Sequence, residues 1–344
     1  MPEEIAPSRS APSAAQSCRV DPGGFVEEAF FFGPPEAPLY GVLHLPARVA
    51  DGGRPERPPI LHVHSYGIEQ VASYRMEVEF ARAAAAAGFP VLRFHMTGCG
   101  DSFGEFAEVT IDSMVEDVRR ASAFVTERGL DGPPALLGVR LGADVAIRAA
   151  AALGGARALI LWEPVRDPRA YLESLLRSLL ISNLAQGKKT GETVATLVER
   201  LRRDGFVDVL GYPIHRRIYD GARPLDIAAG ARVASEALVV SIGKRVRPPA
   251  AAVEIARALR ERGVACETRD VRAEPGWQFN ANPSFVTAEL TEATLGWCVE
   301  HLRGETEAAA AAPATPSTPS TSPPPSPSQT PPPARAPHGR IEVR

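Results

Sequence analysis

The sequence predicts an α/β protein whose mostly parallel sheet is covered by helices on both faces, and three observations support this. Short apolar runs of strand length recur along residues 25–303 of the 344-residue chain without polar–apolar alternation. Such runs are typical of strands that are buried on both faces. Longer segments with helical spacing of apolar residues separate most of the runs, and glycines often end these segments. This alternation indicates parallel strands that are joined by crossover helices.

The predicted elements begin with two runs, at residues 26–32 and 39–45, that have no helix between them. We expect these two runs to form an antiparallel hairpin at the edge of the sheet. The remaining strands are predicted at residues 59–64, 91–96, 134–140, 158–163, 237–242 and 266–271. The helices of the same region are predicted at residues 69–87, 111–127, 141–153 and 250–261.

A Gly-x-x-x-Gly motif lies where the predicted strand 134–140 meets the helix that follows it. Gly138 and Gly142 flank Arg140, the central residue. In a nucleophile elbow, Gly-x-Ser-x-Gly, the same sharp turn holds a serine at the top of a parallel sheet, and the glycines let two backbones approach closely. Arg140 cannot act as a nucleophile or a base, because a guanidinium stays protonated and has no acceptor atom. The motif therefore predicts the turn without its usual chemistry.

Four segments in the expected order resemble the α/β-hydrolase superfamily, over residues 25–303. They are His64-Ser65-Tyr66-Gly67, similar to the oxyanion loop; Gly98-Cys99-Gly100-Asp101-Ser102, similar to the Gly-x-Gly-x-Ser loop; Gly138-Val139-Arg140-Leu141-Gly142 at the elbow; and Gly211-Tyr212 before Leu225-Asp226, similar to the end of a cap. Within the superfamily, the chain resembles the serine-aminopeptidase-like branch. More narrowly, it resembles bacterial hydrolases associated with the exosortase (PEP-CTERM) system, which also have arginine at the elbow position. The resemblance implies an α/β-hydrolase fold with an inserted helical cap.

The resemblance also implies a serine–histidine–acid triad, but the sequence lacks the residues for it. The base would be a histidine in the loop after the last strand, and residues 272–282 contain none. His301 and His338 come too late in the chain. The acid would follow Ile242, where the sequence reads Gly243-Lys244-Arg245-Val246-Arg247-Pro248. Because nucleophile, acid and base are all missing, we expect no triad chemistry.

Other side chains near the predicted top of the sheet offer weaker candidates for chemistry. Cys99 lies in a loop close to His95 and Asp101, and with His64 it is a candidate for acyl transfer. A small residue between two glycines, however, fits the loop without any catalytic role. His62, His64 and His95 suggest a metal site, but no carboxylate or cysteine cluster at ligand spacing accompanies them. We expect structural roles for these residues, no metal and no cofactor.

Arg140 itself has two interpretations that the sequence leaves open. With the backbone N–H groups of Leu141 and Gly142 at a helix N-terminus, its guanidinium can bind a small anionic ligand. Alternatively, it pairs internally with Glu163, Asp167 or Asp101 and fills an inactive pocket. The residues expected to line this pocket are Arg140, Leu141, Tyr66, Ser65, Asp101 and Trp277.

The domain organisation is predicted in five parts. A disordered segment at residues 1–24 precedes the first part of the core at 25–165, and a helical cap at 166–230 precedes the second part at 231–303. A disordered tail rich in proline, serine, threonine and alanine occupies 304–344. The cap helices are predicted at 171–184, 193–203 and 214–219. Leucines at helical spacing in the first of them indicate packing against the core: Leu172, Leu175, Leu176, Leu179 and Leu180.

Composition limits the partners and the compartment. The net charge of −3 gives no electrostatic reason to expect nucleic acid or an anionic membrane as a partner. Four scattered cysteines and an N-terminus without a signal-peptide pattern favour the cytoplasm. No apolar stretch is long enough to span a membrane. The expected partner is a small molecule, while the tail is a candidate docking segment for another protein.

Two classes of function remain in contention. The first is a pseudoenzyme that binds an anionic ligand in its pocket. The second is a hydrolase, esterase or acyl transferase of unusual mechanism, which would use Cys99, His64 or substrate-assisted attack by water. The resemblance connects either class with exopolysaccharide production or protein sorting at the envelope, and the missing triad favours the first.

Overall fold

A computed structural model describes residues 18–20, 24–188, 190–227, 231–243, 248–272, 277 and 287–302. The strands in this part of the chain are β1 (Cys18–Val20), β2 (Phe25–Phe32), β3 (Leu39–Pro46), β4 (Ile60–Val63), β5 (Val91–Phe94), β6 (Ala135–Val139), β7 (Ala156–Trp162), β8 (Phe206–Val209), β9 (Tyr212–His215), β10 (Ala234–Ile242) and β11 (Ala265–Val271). The helices are α1 (Ala47–Ala50), α2 (Ile68–Ala86), α3 (Ile111–Glu127), α4 (Leu141–Ala152), α5 (Pro168–Ala185), α6 (Val194–Asp204), α7 (Arg216–Gly221), α8 (Ala250–Arg260) and α9 (Thr287–His301).

Within the described residues, the main sheet has nine strands in the order β1-β2-β3-β5-β4-β6-β7-β10-β11. From β5 to β11 all neighbours pair in parallel. The first three strands are antiparallel, and β3 also pairs antiparallel with β5. The mostly parallel sheet that the apolar runs predict is therefore confirmed.

The hairpin of β2 and β3 forms as predicted, but its predicted place at the sheet edge is wrong. β1 pairs with the free side of β2, from Cys18 opposite Ala29 to Val20 opposite Glu27. β1 also lies within residues 1–24, for which the sequence predicts disorder, and its three residues are too few to show a pattern. On its other side, β3 pairs with β5, so the hairpin lies inside the sheet.

Apolar side chains cover the sheet on both faces. α3, α4 and α8 pack on one face, whereas α2 and α9 pack on the other with Phe80, Trp162 and Trp297 between them. This double cover explains why the parallel strands are apolar along their whole length. None of the described helices is sufficiently long and apolar to cross a membrane.

The segment 166–230, predicted as a helical cap, contains helices and a hairpin. α5 and α6 form close to their predicted positions, and Thr193 caps α6 by accepting from Thr196 N. The predicted helix at 214–219 is partly wrong, because Tyr212–His215 is a strand that pairs with Phe206–Val209 and α7 begins only at Arg216. Three leucines of α5, Leu172, Leu175 and Leu176, are buried in the core cluster of α4 and β7. The stripe thus packs against protein, as predicted.

Gly142 lets the first turn of α4 lie directly against the end of β4. A Cβ atom at this residue would lie 2.2 Å from the Val63 carbonyl oxygen and 2.5 Å from that of His64. Gly138 makes the same approach from the strand, because its Cβ would lie 2.5 Å from the Gly142 oxygen. The two glycines of the motif therefore have the packing role that the sequence predicts.

A group of buried polar side chains lies between part of α2 and the sheet, beside the apolar contacts. Glu77 of α2 accepts a hydrogen bond from Ser73 Oγ at 2.7 Å, and its carboxylate lies 3.8 Å from His62 Nδ1. Arg93 of β5 places its guanidinium 4.5 Å from the centre of the Tyr74 ring. Burial raises the pKa of Glu77 to about 7, although the charge of Arg93 and the bond from Ser73 lower it. Burial also keeps the pKa of His62 well below its ordinary value.

Replacing Gly142 with alanine should destabilise the protein by about 3 kcal/mol, because the added methyl group meets backbone atoms that cannot move independently. The control is Gly296→Ala in α9, where nothing lies within 4 Å of the added carbon. That change should be neutral or stabilising by up to about 1 kcal/mol, since alanine favours a helix over glycine. Urea denaturation measures both. Equal stabilities of the two variants would contradict the close approach at Gly142.

Glu77→Gln should change how stability depends on pH. Because the folded protein holds the Glu77 proton up to about pH 7, the contribution of Glu77 to the free energy of unfolding falls as pH rises from the ordinary pKa of 4.5 to about 7 and then levels off. Between about pH 5 and about pH 8 the wild type should lose on the order of 2 kcal/mol relative to Glu77→Gln. Glu116→Gln, at an exposed pair with Arg119, should follow the wild type. Parallel curves for wild type and Glu77→Gln would refute the prediction.

Candidate functional site

The elbow turn lies between β6 and α4, and Arg140 occupies its apex. The residue has a φ of 54° and ψ of −117°, a backbone conformation that favours glycine. Its N–H donates to the Trp162 carbonyl at 3.0 Å, and its carbonyl accepts from Ala143 N at 3.0 Å. A non-glycine residue in such a conformation costs about 1–3 kcal/mol and persists only where its surroundings require it. The strained turn is thus kept although its residue is not a nucleophile.

The Arg140 guanidinium forms an ion pair with Glu69 in the first turn of α2. Its Nε lies 3.2 Å from Glu69 Oε2, and its Nη2 donates to Oε1 at 3.3 Å. Nη1 donates to the backbone carbonyl of Glu163 at 3.3 Å. Burial would lower the pKa of Arg140, but the charge of Glu69 raises it. The internal pairing that the sequence left open is therefore present.

The side chains predicted to pair with Arg140 have other contacts, although Glu163 does bind Arg140 through its backbone carbonyl. Glu163 contributes its carbonyl, while its Oε2 accepts from Ile242 N at 2.8 Å. The Asp167 carboxylate accepts from the first N–H groups of α5, at Arg169 and Ala170. Asp101 is exposed in its loop, where its own N–H approaches His95 Nδ1 at 3.4 Å. The partner is instead Glu69, which the strand order brings beside Arg140 because β4 and β6 are neighbours.

Glu69 accepts hydrogen bonds from two hydroxyl groups as well. Ser65 Oγ donates at 3.1 Å and Tyr171 Oη at 2.8 Å, both to Oε2. Burial and the nearby carboxylate hold the pKa of Tyr171 well above its ordinary value, so this hydroxyl remains a donor. A buried carboxylate with a guanidinium and two hydroxyl donors is well compensated for the loss of water. Sequence reasoning missed Glu69 and Tyr171, which it placed only as helix residues.

Two aromatic rings flank the Arg140 guanidinium. Its Cζ atom lies 5.5 Å from the centre of the Tyr171 ring and 5.2 Å from that of Trp277. Both distances suit a cation–π contact. Trp277 thus lies beside Arg140, as the sequence predicts for residues of the pocket. Because Tyr171 belongs to α5, the contacts of Arg140 and Glu69 connect the elbow, the loop after β4 and the cap segment.

The other predicted pocket residues have different surroundings. Leu141 is fully buried in the core, so only its backbone is available at the turn. The Tyr66 ring stacks on Phe106 with 5.1 Å between centres, and its hydroxyl donates to the Pro213 carbonyl at 3.4 Å. Burial raises the pKa of Tyr66. Of the predicted set, Arg140 and Ser65 both contact Glu69, and Trp277 contacts Arg140, whereas Tyr66 faces β9.

Cys99 and His64 lack the features of a catalytic pair. Burial raises the pKa of the Cys99 thiol to about 12, so almost none of it is thiolate at neutral pH. Burial lowers the pKa of His64 to about 4. Its Nδ1 lies 2.6 Å from the Ser65 carbonyl, and its Nε2 accepts from Met96 N at 3.2 Å. Both nitrogens of His64 are therefore engaged with backbone atoms.

The sequence also suggested histidines as metal ligands and two loops as the places of a triad base and acid. In the part of the chain that the structure describes, no three His, Cys, Asp or Glu side chains are grouped so that they could hold a metal ion. This covers His62, His64 and His95, the suggested ligands. The expected positions of base and acid, at residues 272–282 and after Ile242, fall mostly outside the described residues.

Comparisons with known proteins identify the fold. No protein-family model matches the chain, and no curated protein is significantly similar to it. Among solved structures, a protein from Agrobacterium vitis S4, provisionally named a hydrolase, is 16% identical with a TM-score of 0.50, covering 81% of this chain and 99% of that one. Est1E from Butyrivibrio proteoclasticus, with ferulic acid bound, is 15% identical with a TM-score of 0.54, covering 79% and 98%. Together with its sheet, these likenesses show that the chain has the α/β-hydrolase fold.

Proposed function

We propose that this protein is a binding protein built on the α/β-hydrolase fold and that it lacks triad catalysis. One observation carries the proposal: the elbow residue is Arg140, and its guanidinium is already held by Glu69. A nucleophile must present a free lone pair to the acyl carbon, which a guanidinium does not have. The absence of histidine from residues 272–282 supports the same conclusion, because no base stands where this fold would place it.

The ion pair bears on the ligand as well. Glu69 neutralises the charge that would attract an anion to Arg140, so an anion there would also meet a carboxylate. The binding of a small anionic ligand to Arg140, which the sequence predicts, stays a prediction. A neutral ligand avoids this repulsion, and we favour it for the described part of the site.

The alternative function is that of a hydrolase, esterase or acyl transferase of unusual mechanism. Two observations disfavour it: the thiol of Cys99 is buried, and both ring nitrogens of His64 contact backbone atoms. The resemblance to exosortase-associated hydrolases suggests a role near exopolysaccharide production or protein sorting at the envelope for either function, and the scattered cysteines favour the cytoplasm as the compartment. The two functions differ in whether the protein turns over an ester.

A panel of activated aryl esters of varied acyl length separates the two functions. We expect the wild type to hydrolyse none of them more than about twofold faster than the buffer blank. Arg140→Ala, Cys99→Ala and Arg140→Ser should behave in the same way, the last because a serine without a base is a poor nucleophile. Wild-type turnover that one of these changes abolishes would overturn the proposal and identify the catalytic residue.

A double-mutant cycle on Arg140 and Glu69 tests whether the elbow arginine is a structural group. Arg140→Ala leaves the buried Glu69 carboxylate without its cation and should cost about 3 kcal/mol of stability. Combined with Glu69→Gln it should cost clearly less than the sum of the two changes, with a coupling of about 1–3 kcal/mol.

The control cycle is the exposed pair of Arg75 and Glu79 on α2, which lie 2.7 Å apart. Its coupling should be at most about 0.5 kcal/mol, because water screens an exposed pair. Chemical denaturation measures all variants. Additive effects of Arg140→Ala and Glu69→Gln would show that the pair does not contribute to the fold.

A further inference from the structure

A groove runs over the sheet between the start of α2, the loop that follows β5 and the strand β9. It has about 510 Å³ of free volume, within the usual range for small-molecule sites. Its walls are mainly apolar and aromatic: Val71, Tyr74, Phe106, Tyr212 and Pro213. Arg140 and Glu69 do not line it, so it is separate from the elbow.

The groove adjoins a small polar cavity among the buried polar side chains beneath α2. Gln70, Tyr74 and His95 line both spaces. The inner cavity has about 10 Å³ of free volume, enough for one group of the size of a water molecule. Arg93 and His62 line it and are 7% and 1% exposed.

Two residues that line this inner cavity each have one buried polar atom without a hydrogen-bond partner among the described residues. The atoms are Nε of Arg93 and Nε2 of His62. A buried polar atom without a partner costs free energy, so a group that supplies one is favoured there. Arg93 can only donate, whereas a neutral imidazole nitrogen can accept. A single hydroxyl group can accept from the first and donate to the second.

The charges around the two spaces favour an uncharged ligand. Burial lowers the pKa of His95, and that of His62 lies well below its ordinary value, so both imidazoles are neutral at neutral pH. In the inner cavity the Arg93 cation faces Glu77, which is only partly ionised at neutral pH because its pKa is raised to about 7, and a ligand carboxylate would be repelled by the ionised form of Glu77.

We propose that this groove binds an uncharged, hydroxylated ring compound of the phenol class. The ring lies against Tyr74, Phe106 and Tyr212, and the hydroxyl group enters the inner cavity between Arg93 and His62. This inference rests on the proposed function, since it gives the binding protein a ligand class and a site.

The test uses 2-naphthol and its methyl ether, 2-methoxynaphthalene, titrated against the full-length protein by calorimetry. The ether cannot donate a hydrogen bond and is too large for the inner cavity, so its Kd should be at least about tenfold higher. Val71→Trp fills the groove from an exposed helix position and should raise the Kd of 2-naphthol at least about tenfold. Val253→Trp, at a similarly exposed position on α8 outside the groove, should leave it unchanged; the two valines are 53% and 51% exposed.

Three results would overturn the inference. Equal Kd values for 2-naphthol and its ether would show that the cavity does not recognise a hydroxyl group. Equal Kd values for the Val71→Trp and Val253→Trp variants would place any binding elsewhere, and no binding to the wild type would exclude the ligand class. Ester turnover by the wild type would instead overturn the proposed function. The two failures are distinguishable, because the ester assay measures hydrolysis whereas this titration measures binding.

Discussion

The ion pair between Arg140 and Glu69 holds together the three parts of the candidate site: the elbow after β6, the start of α2 after β4, and α5 of the cap segment. Arg140 directly follows β6 and Glu69 lies in the helix after β4, so their contact connects the ends of two neighbouring strands. Tyr171 extends the connection to α5 through its hydroxyl bond to Glu69. A serine at the elbow would be too short to reach Glu69 from the turn, and the carboxylate would be left with hydroxyl donors alone. Arginine supplies the length and the charge that this buried carboxylate requires.

The strained turn at Arg140 follows from backbone packing and does not depend on the side chain it presents. Gly142 rests on the carbonyl groups of Val63 and His64, which fixes where α4 begins. The chain must then reverse within one residue after β6, and this requires the positive φ of Arg140. Serine and arginine both carry a Cβ atom and so have a similar conformational cost at that position, and the turn can persist when the nucleophile is absent. For the same reason, a retained elbow is no sign of catalysis.

Much of the fold could be predicted because each parallel strand is an apolar run and each crossover helix has a clear start and end. β1 and the hairpin of β8 and β9 could not, since β1 has only three residues, and β8 and β9 are partly exposed, unlike the equally short but fully buried β4 and β5. In the site, Arg140, Ser65 and Trp277 were predictable from motif and position. Glu69 was not, because its contact with Arg140 spans 71 residues and depends on the order of strands in the sheet.

Two glutamates of α2 show how the partners of a buried carboxylate decide its behaviour. Glu69 and Glu77 are 5% and 2% exposed, so both have lost nearly all contact with water. Glu69 has a guanidinium and two hydroxyl groups within hydrogen-bond distance. Glu77 accepts one hydroxyl bond, from Ser73, and its pKa rises to about 7. The hydrogen bonds around Glu77 are therefore less complete than those around Glu69, since Arg93 Nε and His62 Nε2 have no hydrogen-bond partner among the described residues. Polar atoms without partners beside an apolar groove are typical of a ligand-binding site. The hydrogen bonds around Arg140 and Glu69 are complete, which is typical of a contact that holds structural elements together.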